Sequence, residues 1–150
     1  MSIEKEIKQE KFESEHQKMV INIMFTSGWL YNNHATRLKP FGITPEQFNV
    51  LRILRGSSPK MMMMADVTNR MVDKSSNCTR LVEKLRQKEL VSREICEGNR
   101  RQVDIGITDK GLALLKKIDK SYAEWVATLK TISQTEAKEV NRTLDKLRNK

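Results

Sequence analysis

Apolar residues recur every three or four positions along much of this chain, which is the spacing of amphipathic helices. The first such pattern runs from about residue 16 to residue 39, where Pro40 and Gly42 oppose its continuation. Gly28 interrupts the pattern and lowers the helix propensity there, so a bend is an alternative to a straight helix. The residues before about position 12 are polar, and we expect them to be frayed.

The clearest helix signal begins at Thr44. Thr44 can cap the helix, Pro45 suits its first position, and Gln47 can complete a capping box with Thr44. Apolar residues repeat at helical spacing through Leu54, and Gly56 is expected to end the helix.

Two further helical patterns follow in close succession. The first covers about residues 61 to 72 and contains four consecutive methionines, which we interpret as flexible packing material. The second lies within the stretch from Lys74 to Val91. Its apolar stripe consists of Cys78, Leu81, Val82 and Leu85, and its opposite face carries Ser, Asn, Arg and Lys near its start. That face is either an ordinary solvated surface or a surface that binds a partner.

After Leu90 the period of the pattern changes from helical to two. Strands are predicted at about residues 90–96 and 101–108, and Gly98 and Asn99 between them favour a hairpin turn. Two helices then follow, the first starting near Thr108 and Asp109 and the second near Ser133. Their predicted inward stripes are Leu112, Leu115, Ile118, Tyr122, Trp125 and Leu129, and then Ala137, Val140, Leu144 and Leu147.

This order of elements predicts a mainly α protein with a small β-hairpin, arranged as a winged helix-turn-helix. In such a motif the second helix enters the major groove of DNA and reads bases with residues near its N-terminus. Short or bidentate hydrogen-bonding side chains suit that task. The candidates are Ser75, Ser76, Asn77, Thr79, Arg80 and Lys84. Arg100 and Arg101 would lie at the tip of the hairpin, where they could enter a narrow minor groove.

Composition supports this hypothesis without deciding it. A length of 150 residues corresponds to one domain. With 38% hydrophobic and 31% charged residues, the chain suits a thin, helix-rich protein that completes its core by pairing with a second copy. The net charge of +9 favours a polyanionic partner such as nucleic acid, but the basic residues are spread along the whole chain.

The two cysteines indicate neither a disulfide framework nor a zinc finger, since the chain has no CxxC motif. Cys78 lies on an apolar stripe, which is typical of a small core residue. Cys96 lies between Glu94 and Glu97, and acidic neighbours raise a thiol pKa, which argues against a peroxide sensor.

Other classes of function find little support in the sequence. We expect no enzyme activity, since no nucleophile–base pair, carboxylate pair or phosphate-binding glycine loop is evident. His16 and His34 have no identifiable metal-binding partners, so no metal or cofactor is expected. The charged N-terminus is unlike a signal peptide, and no apolar run is long enough to span a membrane, which predicts a soluble, cytoplasmic protein.

Three stretches together resemble the MarR (multiple antibiotic resistance regulator) family of bacterial transcription factors: "FGITPEQFNVLRIL", "SNCTRLVEKLRQKELVSREI" and "NRRQVDIGITDKGLALL". The resemblance covers roughly residues 20–130. It implies a single domain, residues 1–150, with a winged helix-turn-helix at about 40–110. Helices at about 12–39 and 109–150 would form a homodimer. In that family a small ligand or an oxidation event often releases DNA.

The resemblance also assigns roles to individual residues. The family's recognition helix resembles the stretch that contains Ser76, Asn77, Thr79 and Arg80, so these residues inherit base and phosphate contacts. Arg101 aligns with the arginine expected at the tip of the wing. Asn99 stands where the family usually has an aspartate, which removes a charge that would orient an arginine of the wing.

The sequence leaves two hypotheses for function. The first is a sequence-specific, homodimeric repressor of double-stranded DNA at a pseudo-palindromic operator, with activation still possible. Met24, Trp29, His34 and Phe48 could line a pocket for a small aromatic or phenolic effector, although aromatics at helical spacing are more often core. The second is a winged-helix module for protein–protein interaction that binds no operator. Arg80 together with Arg101 favours the first.

Overall fold

The structure, a computed structural model, describes residues 1–95 and 103–149. Over these residues the chain forms seven α-helices and one antiparallel sheet, and is mainly α, as predicted. In chain order the elements are α1 (Ile3–Glu6), α2 (Glu15–Leu38), α3 (Pro45–Ser57), β1 (Met62–Met63), α4 (Met64–Arg70), α5 (Cys78–Gln87), β2 (Val91–Ile95), β3 (Val103–Ile107), α6 (Asp109–Thr128) and α7 (Gln134–Arg148). Short 3₁₀ turns follow α2 and α6.

The N-terminal segment is ordered against α2, so the prediction that it would be frayed is wrong. Ile3 is only 6% exposed, and the Lys18 ammonium lies 2.5 Å from a Glu4 carboxylate oxygen. This hydrogen bond from Lys18 lowers the pKa of Glu4 to about 2. One apolar anchor and one ion pair thus oppose the fraying that a polar terminus would otherwise show. Helix α2 continues through Gly28 without a break.

The start of α3 confirms its predicted capping box. The Gln47 N–H donates to Thr44 Oγ1 at 3.2 Å, and the Thr44 N–H donates to Gln47 Oε1 at 3.1 Å. The end of the helix was predicted less well, because α3 continues past Gly56 to Ser57. It stops shortly before Pro59, where the residue preceding a proline is forced out of the helical region.

The methionine tract is the main correction to the secondary structure. Residues 61–72 were predicted as one helix, yet Met62 and Met63 form a strand, and the helix begins only at Met64. Met62 pairs with Ile105 and Met63 with Asp104 of β3. The strand order is therefore β1–β3–β2, with three strands where the sequence predicted two. The free edge of β3 offers backbone hydrogen-bonding groups that a local pattern does not reveal.

Helix α5 and the strands that follow it agree with the prediction. The helix begins at Cys78, and β2 pairs antiparallel with β3 so that Val91 lies opposite Ile107. The hairpin turn predicted at Gly98 and Asn99, like Cys96, lies outside the described residues.

The core lies between α3, α5, the sheet and the first half of α6. Its largest fully buried side chains are Leu38, Leu51, Leu54, Met71, Leu85, Ile105, Leu115, Val50, Val67 and Val82. Cys78, 4% exposed, belongs to the same cluster and is the small core residue that the sequence predicted.

Helix α6 starts in close contact with the sheet. The Thr108 hydroxyl accepts a hydrogen bond from the Gly111 N–H at 3.1 Å and donates one to the Glu89 carbonyl at 2.7 Å. A side chain at Gly111 would meet the Leu90 carbonyl oxygen at 2.4 Å, so only glycine allows this approach.

Helix α7 packs differently from the prediction. It begins next to Ser133, as predicted, and Ser133 and Glu136 form a capping box there. Its apolar stripe does not point inward within the chain, however, since Val140 is 52% and Leu147 47% exposed. The exposed face of α2 is similar, because Met24 is 69% exposed. The prediction of an inward stripe on α7 is therefore wrong for the single chain, whose own core ends at α6.

Candidate nucleic-acid interface

Helix α5 buries one side and exposes the other. Cys78, Val82 and Leu85 are buried beneath it, while Arg80 and Lys84 lie in solvent on the opposite face. Among residues 1–95 and 103–149, neither of these two side chains has a hydrogen-bond or salt-bridge partner. Two long cations are thus free to reach a polyanion without first breaking a contact with the protein.

The acidic residue on α5 is already neutralised. Arg86 Nη2 lies 2.9 Å from Glu83 Oε1. This hydrogen bond lowers the pKa of Glu83, and the positive charge of Arg93 on β2 adds to the effect. The exposed side of α5 and the adjoining strand are therefore positive overall. Arg93 is a cation of this surface that the sequence did not single out, because an isolated arginine in a strand pattern looks like ordinary surface charge.

The N-terminus of α5 is capped by Asn77. Its Oδ1 accepts the Arg80 N–H at 3.1 Å, which leaves the side-chain amide group of Asn77 for other contacts. Thr79 follows on the exposed side of the first turn. The positive end of the helix dipole and the open N–H groups here favour an anion such as phosphate.

The segment before α5 is held by its own hydrogen bonds. Asp73 Oδ1 accepts both the backbone N–H and the hydroxyl of Ser75, at 2.9 and 2.7 Å. These bonds lower the pKa of Asp73. Ser76 is half-buried, with its hydroxyl oxygen shielded from solvent. Ser75 and Ser76 were predicted among the polar residues of this helix, but both precede it. They belong to a turn of the kind that Asp and Ser favour.

Asn49 of α3 ties this segment to the core. Its Oδ1 accepts the Val72 N–H at 2.8 Å. No pattern in the sequence singles out Asn49, because its partner, the Val72 N–H, lies 23 residues away along the chain. Arg100 and Arg101, the predicted wing residues, lie outside the described residues.

A cleft of about 310 Å³ adjoins the segment that leads into α5. It is lined by α2, α3, α6 and that segment, through Leu30, Tyr31, His34, Pro45, Glu46, Phe48, Asn49, Arg52, Met71, Val72, Asp73, Tyr122 and Trp125. The His34 and Phe48 rings meet edge to face at a centroid distance of 5.1 Å. A cleft of this size, lined largely by apolar and aromatic side chains, fits a small ligand.

The structure brings together only two of the four residues predicted to line a pocket. His34 and Phe48 line the cleft, whereas Met24 lies on the exposed face of α2 and Trp29 lines a separate depression beside α1. The pattern along α2 could not separate its two faces. Tyr122 and Trp125 were predicted only as part of the inward stripe of α6, and their place in the cleft requires that α6 cross α2.

The polar groups of the cleft are ordered. The Tyr31 hydroxyl donates to Glu46 Oε1 at 2.8 Å, which raises the pKa of Tyr31. Burial acts to raise the pKa of Glu46, but hydrogen bonds from its own backbone N–H, Thr44 and Tyr31 outweigh it and hold that pKa below its ordinary value. Burial, aided by the charges of nearby arginines, lowers the pKa of His34. At neutral pH the carboxylate is therefore ionised and the imidazole neutral.

Within residues 1–95 and 103–149 no group of three or more His, Cys, Asp and Glu residues could hold a metal ion. None of the described helices combines the length and apolar character that a membrane span requires.

Known proteins resemble this chain in sequence and in fold. The sequence model of the MarR family matches residues 43–103. The HTH-type transcriptional regulator MgrA of Staphylococcus aureus is 31% identical over 117 residues, which cover 78% of this chain and 76% of MgrA. A MarR transcription factor from Planctomyces limnophilus is 26% identical, with a TM-score of 0.70 over 90% of this chain and 98% of that one.

A solved complex of S. aureus MepR with DNA superimposes with a TM-score of 0.77. It covers 86% of this chain and 94% of that one, at 22% identity, and therefore bears on the fold alone. With the other likenesses, it confirms the winged helix-turn-helix fold that the order of elements predicted.

Proposed function

This chain belongs to the MarR family of DNA-binding transcription regulators, and we propose that it is a homodimeric repressor that a small aromatic ligand releases from a pseudo-palindromic operator. Regulators of this family bind DNA rather than catalyse reactions, which agrees with the expectation from the sequence that the chain has no enzyme activity. In a dimer the two α5 helices would enter successive major grooves, about 34 Å apart.

The observation that carries the DNA-binding proposal is the exposed face of α5. Arg80, in its first turn, would contact a base edge, and Lys84, one turn later, would contact phosphate. Thr79 and the amide of Asn77 lie at the same end of the helix and would add shorter contacts. Ser75 and Ser76 would serve mainly to shape the turn before α5, because one hydroxyl is engaged by Asp73 and the other is shielded. Arg100 and Arg101 are proposed to contact the minor groove.

The dimer proposal rests on the apolar faces of α2 and α7. Val20 and Met24 on α2, and Val140 and Leu147 on α7, are 47 to 69% exposed. Exposed apolar side chains that recur along one face of a helix are typical of protein–protein interfaces. Residues of about 12–39 and 109–150 would provide the interface, and about 40–110 the winged helix-turn-helix.

The ligand proposal rests on the position of the cleft. Asp73 and Val72 line it and also belong to the segment that leads into α5. A ligand that displaced this segment would shift the start of α5 and thus its fit to the major groove. The cleft is proposed as the effector site, with His34 and Phe48 among its contacts.

The test is a fluorescence-anisotropy titration against DNA upstream of the protein's own gene and against a scrambled duplex, at two salt concentrations. We expect tighter binding to the first duplex and steep weakening with salt, because neutralised phosphates release counterions. Arg80→Ala should weaken specific binding by about 1–3 kcal/mol if the side chain reads a base. Arg142→Ala is the matched control, since Arg142 also belongs to an i,i+3 ion pair, with Glu139, but lies on α7 outside the proposed contact with DNA.

Equal and weak binding to both duplexes would favour the protein-interaction hypothesis or an operator elsewhere. If Arg80→Ala bound the operator as tightly as the parent protein and Arg142→Ala at low salt, the assignment of Arg80 would be wrong. Sedimentation of the protein as a monomer at micromolar concentration would contradict the dimer.

A further inference from the structure

The cleft between α2, α3 and α6 has an aromatic wall. The ring centroids of Phe48 and Tyr122 are 6.4 Å apart, and those of Tyr122 and Trp125 are 5.6 Å apart. Such rings present electron-rich faces, which attract both flat apolar groups and cations. The Arg37 guanidinium already lies 4.6 Å from the Trp125 ring centroid, so this wall holds a cation within the protein itself.

The cleft also has an acidic end, formed by Tyr31, Glu46 and Asp73, all of which line it. Both carboxylates have lowered pKa values, which keeps them ionised at neutral pH. The negative charges of Glu46 and Asp73 both act on the Tyr31 hydroxyl, which shows that the two carboxylates flank one region of the cleft. Each has hydrogen-bond donors from the protein, but no lysine or arginine salt bridge to either is found in the described part of the chain.

The charge of the cleft is opposite to that of the chain. Arg52 is the one lysine or arginine among the described residues that line it, against the two carboxylates. His34 is neutral at pH 7, because burial lowers its pKa. The lining residues therefore sum to one negative charge in a protein whose net charge is +9, and Arg37 lies against Trp125 of the aromatic wall. Beside Glu46 and Asp73 an anionic group would be repelled, whereas a cationic group would be attracted.

We propose that the cleft binds an aromatic organic cation, with the cationic group beside Glu46 and Asp73 and the ring against Phe48, Tyr122 and Trp125. The size of the cleft, about 310 Å³, admits a ligand of one or two rings. A phenolate or an aromatic carboxylate, the other small effectors that an aromatic pocket suggests, lacks a matching charge at the acidic end.

Binding of such a cation would act on the segment before α5. Asp73 Oδ1 accepts the backbone N–H and the hydroxyl of Ser75, and a cation at Asp73 would compete with both bonds. The Asn49 bond to Val72 holds the neighbouring residue. This step, from ligand to DNA release, rests on the proposed function, whereas the binding of the cation does not.

The experiment is isothermal titration calorimetry of the full chain without DNA, using three probes of similar size. Benzyltrimethylammonium carries the cation, neopentylbenzene is its neutral isostere, and salicylate carries a negative charge and a phenol. We expect benzyltrimethylammonium to bind roughly tenfold more tightly than either of the others, because it adds cation–π and charge contacts. The proposal would be overturned if neopentylbenzene or salicylate bound equally well or better, or if no probe bound at millimolar concentration.

Two variants test whether the acidic end causes the preference for the cationic probe. Glu46→Gln and Asp73→Asn each remove one charge but keep an oxygen that can accept the existing hydrogen bonds. Each should remove most of the preference for benzyltrimethylammonium over neopentylbenzene. Glu94→Gln, which removes a charge from exposed β2 outside the cleft, should leave it unchanged. If the first two variants kept the full preference, the cation would not be bound by these carboxylates.

A parallel anisotropy measurement separates the two proposals. Release of operator DNA by benzyltrimethylammonium, weakened in Asp73→Asn, would link the site to regulation. If the protein bound no operator at all, the function proposed above would fail, while the calorimetric comparison would still decide the chemistry of the cleft.

Discussion

Replacing Gly111 with alanine tests the contact between α6 and the sheet. In an exposed helix interior this substitution stabilises a protein by about 1 kcal/mol, because alanine loses less backbone freedom on folding. At Gly111 the added Cβ would lie 2.4 Å from the Leu90 carbonyl oxygen and 2.7 Å from Ile107 Cγ1. Both distances are well inside van der Waals contact, so either the backbone at Leu90, just before β2, or the start of α6 must move.

The expected magnitude follows from three effects. Overpacking of this kind costs about 1–3 kcal/mol. The Leu90 carbonyl also accepts the Thr108 N–H at 3.1 Å, and loss of that bond costs about 1 kcal/mol more. After the gain in helix propensity, we expect Gly111→Ala to lower the free energy of unfolding by about 1–3 kcal/mol. For a chain of this size that corresponds to a decrease in Tm of roughly 2–12 °C.

The assay is thermal unfolding followed by circular dichroism, at two protein concentrations because a dimer would make Tm depend on concentration. Gly56→Ala is the matched control, since a Cβ at Gly56 meets nothing within 4 Å and the residue lies in the last turn of α3. It should leave Tm unchanged or raise it slightly. If Gly111→Ala melted at or above the temperature of the parent protein, the close approach of α6 to the Leu90 carbonyl would be refuted.

Three further predictions address the cap of α5, the cleft and the interface. Asn77→Ala should lower the free energy of unfolding by about 1 kcal/mol in urea titrations, and Asn77→Asp should restore most of it, since Asp also caps; equal stability of all three would show that the cap contributes nothing. Burial lowers the pKa of His34 in the folded chain, so the unfolded chain binds more protons and stability should fall as pH decreases through about 6.5. His34→Gln should flatten that dependence in thermal melts, and an unchanged slope would contradict the assignment. Val140→Glu should shift the protein toward monomer in analytical ultracentrifugation, whereas Lys138→Glu, off the apolar stripe of α7, should not.

The candidate interface could be predicted from the sequence in part. The face of α5 that carries Arg80 and Lys84 follows from the stripe of Cys78, Val82 and Leu85, because a helix has a fixed period and one apolar side. The cleft could not be predicted in this way. Two of its proposed residues, Met24 and Trp29, lie elsewhere, since the position of a residue along α2 does not tell which neighbour its side chain faces.

What the sequence alone determined about this protein is what depends on residues close together in the chain. The capping boxes at Thr44 and Ser133 and the cap at Thr108 each join partners three residues apart. Their hydrogen bonds form wherever the backbone takes that local conformation, so residue type and spacing suffice to predict them.

Only the tertiary structure decided the contacts between distant segments. The methionines of β1 became a strand because β3 had a free edge, against the helical pattern of their own neighbourhood. Glu46 and Asp73 came to flank one cleft, and Gly111 came to face the Leu90 carbonyl, because α3, α5 and α6 pack on one core. The free energy of such contacts depends on which surfaces meet when apolar area is buried, and a pattern confined to one helix or strand contains no information about its partner.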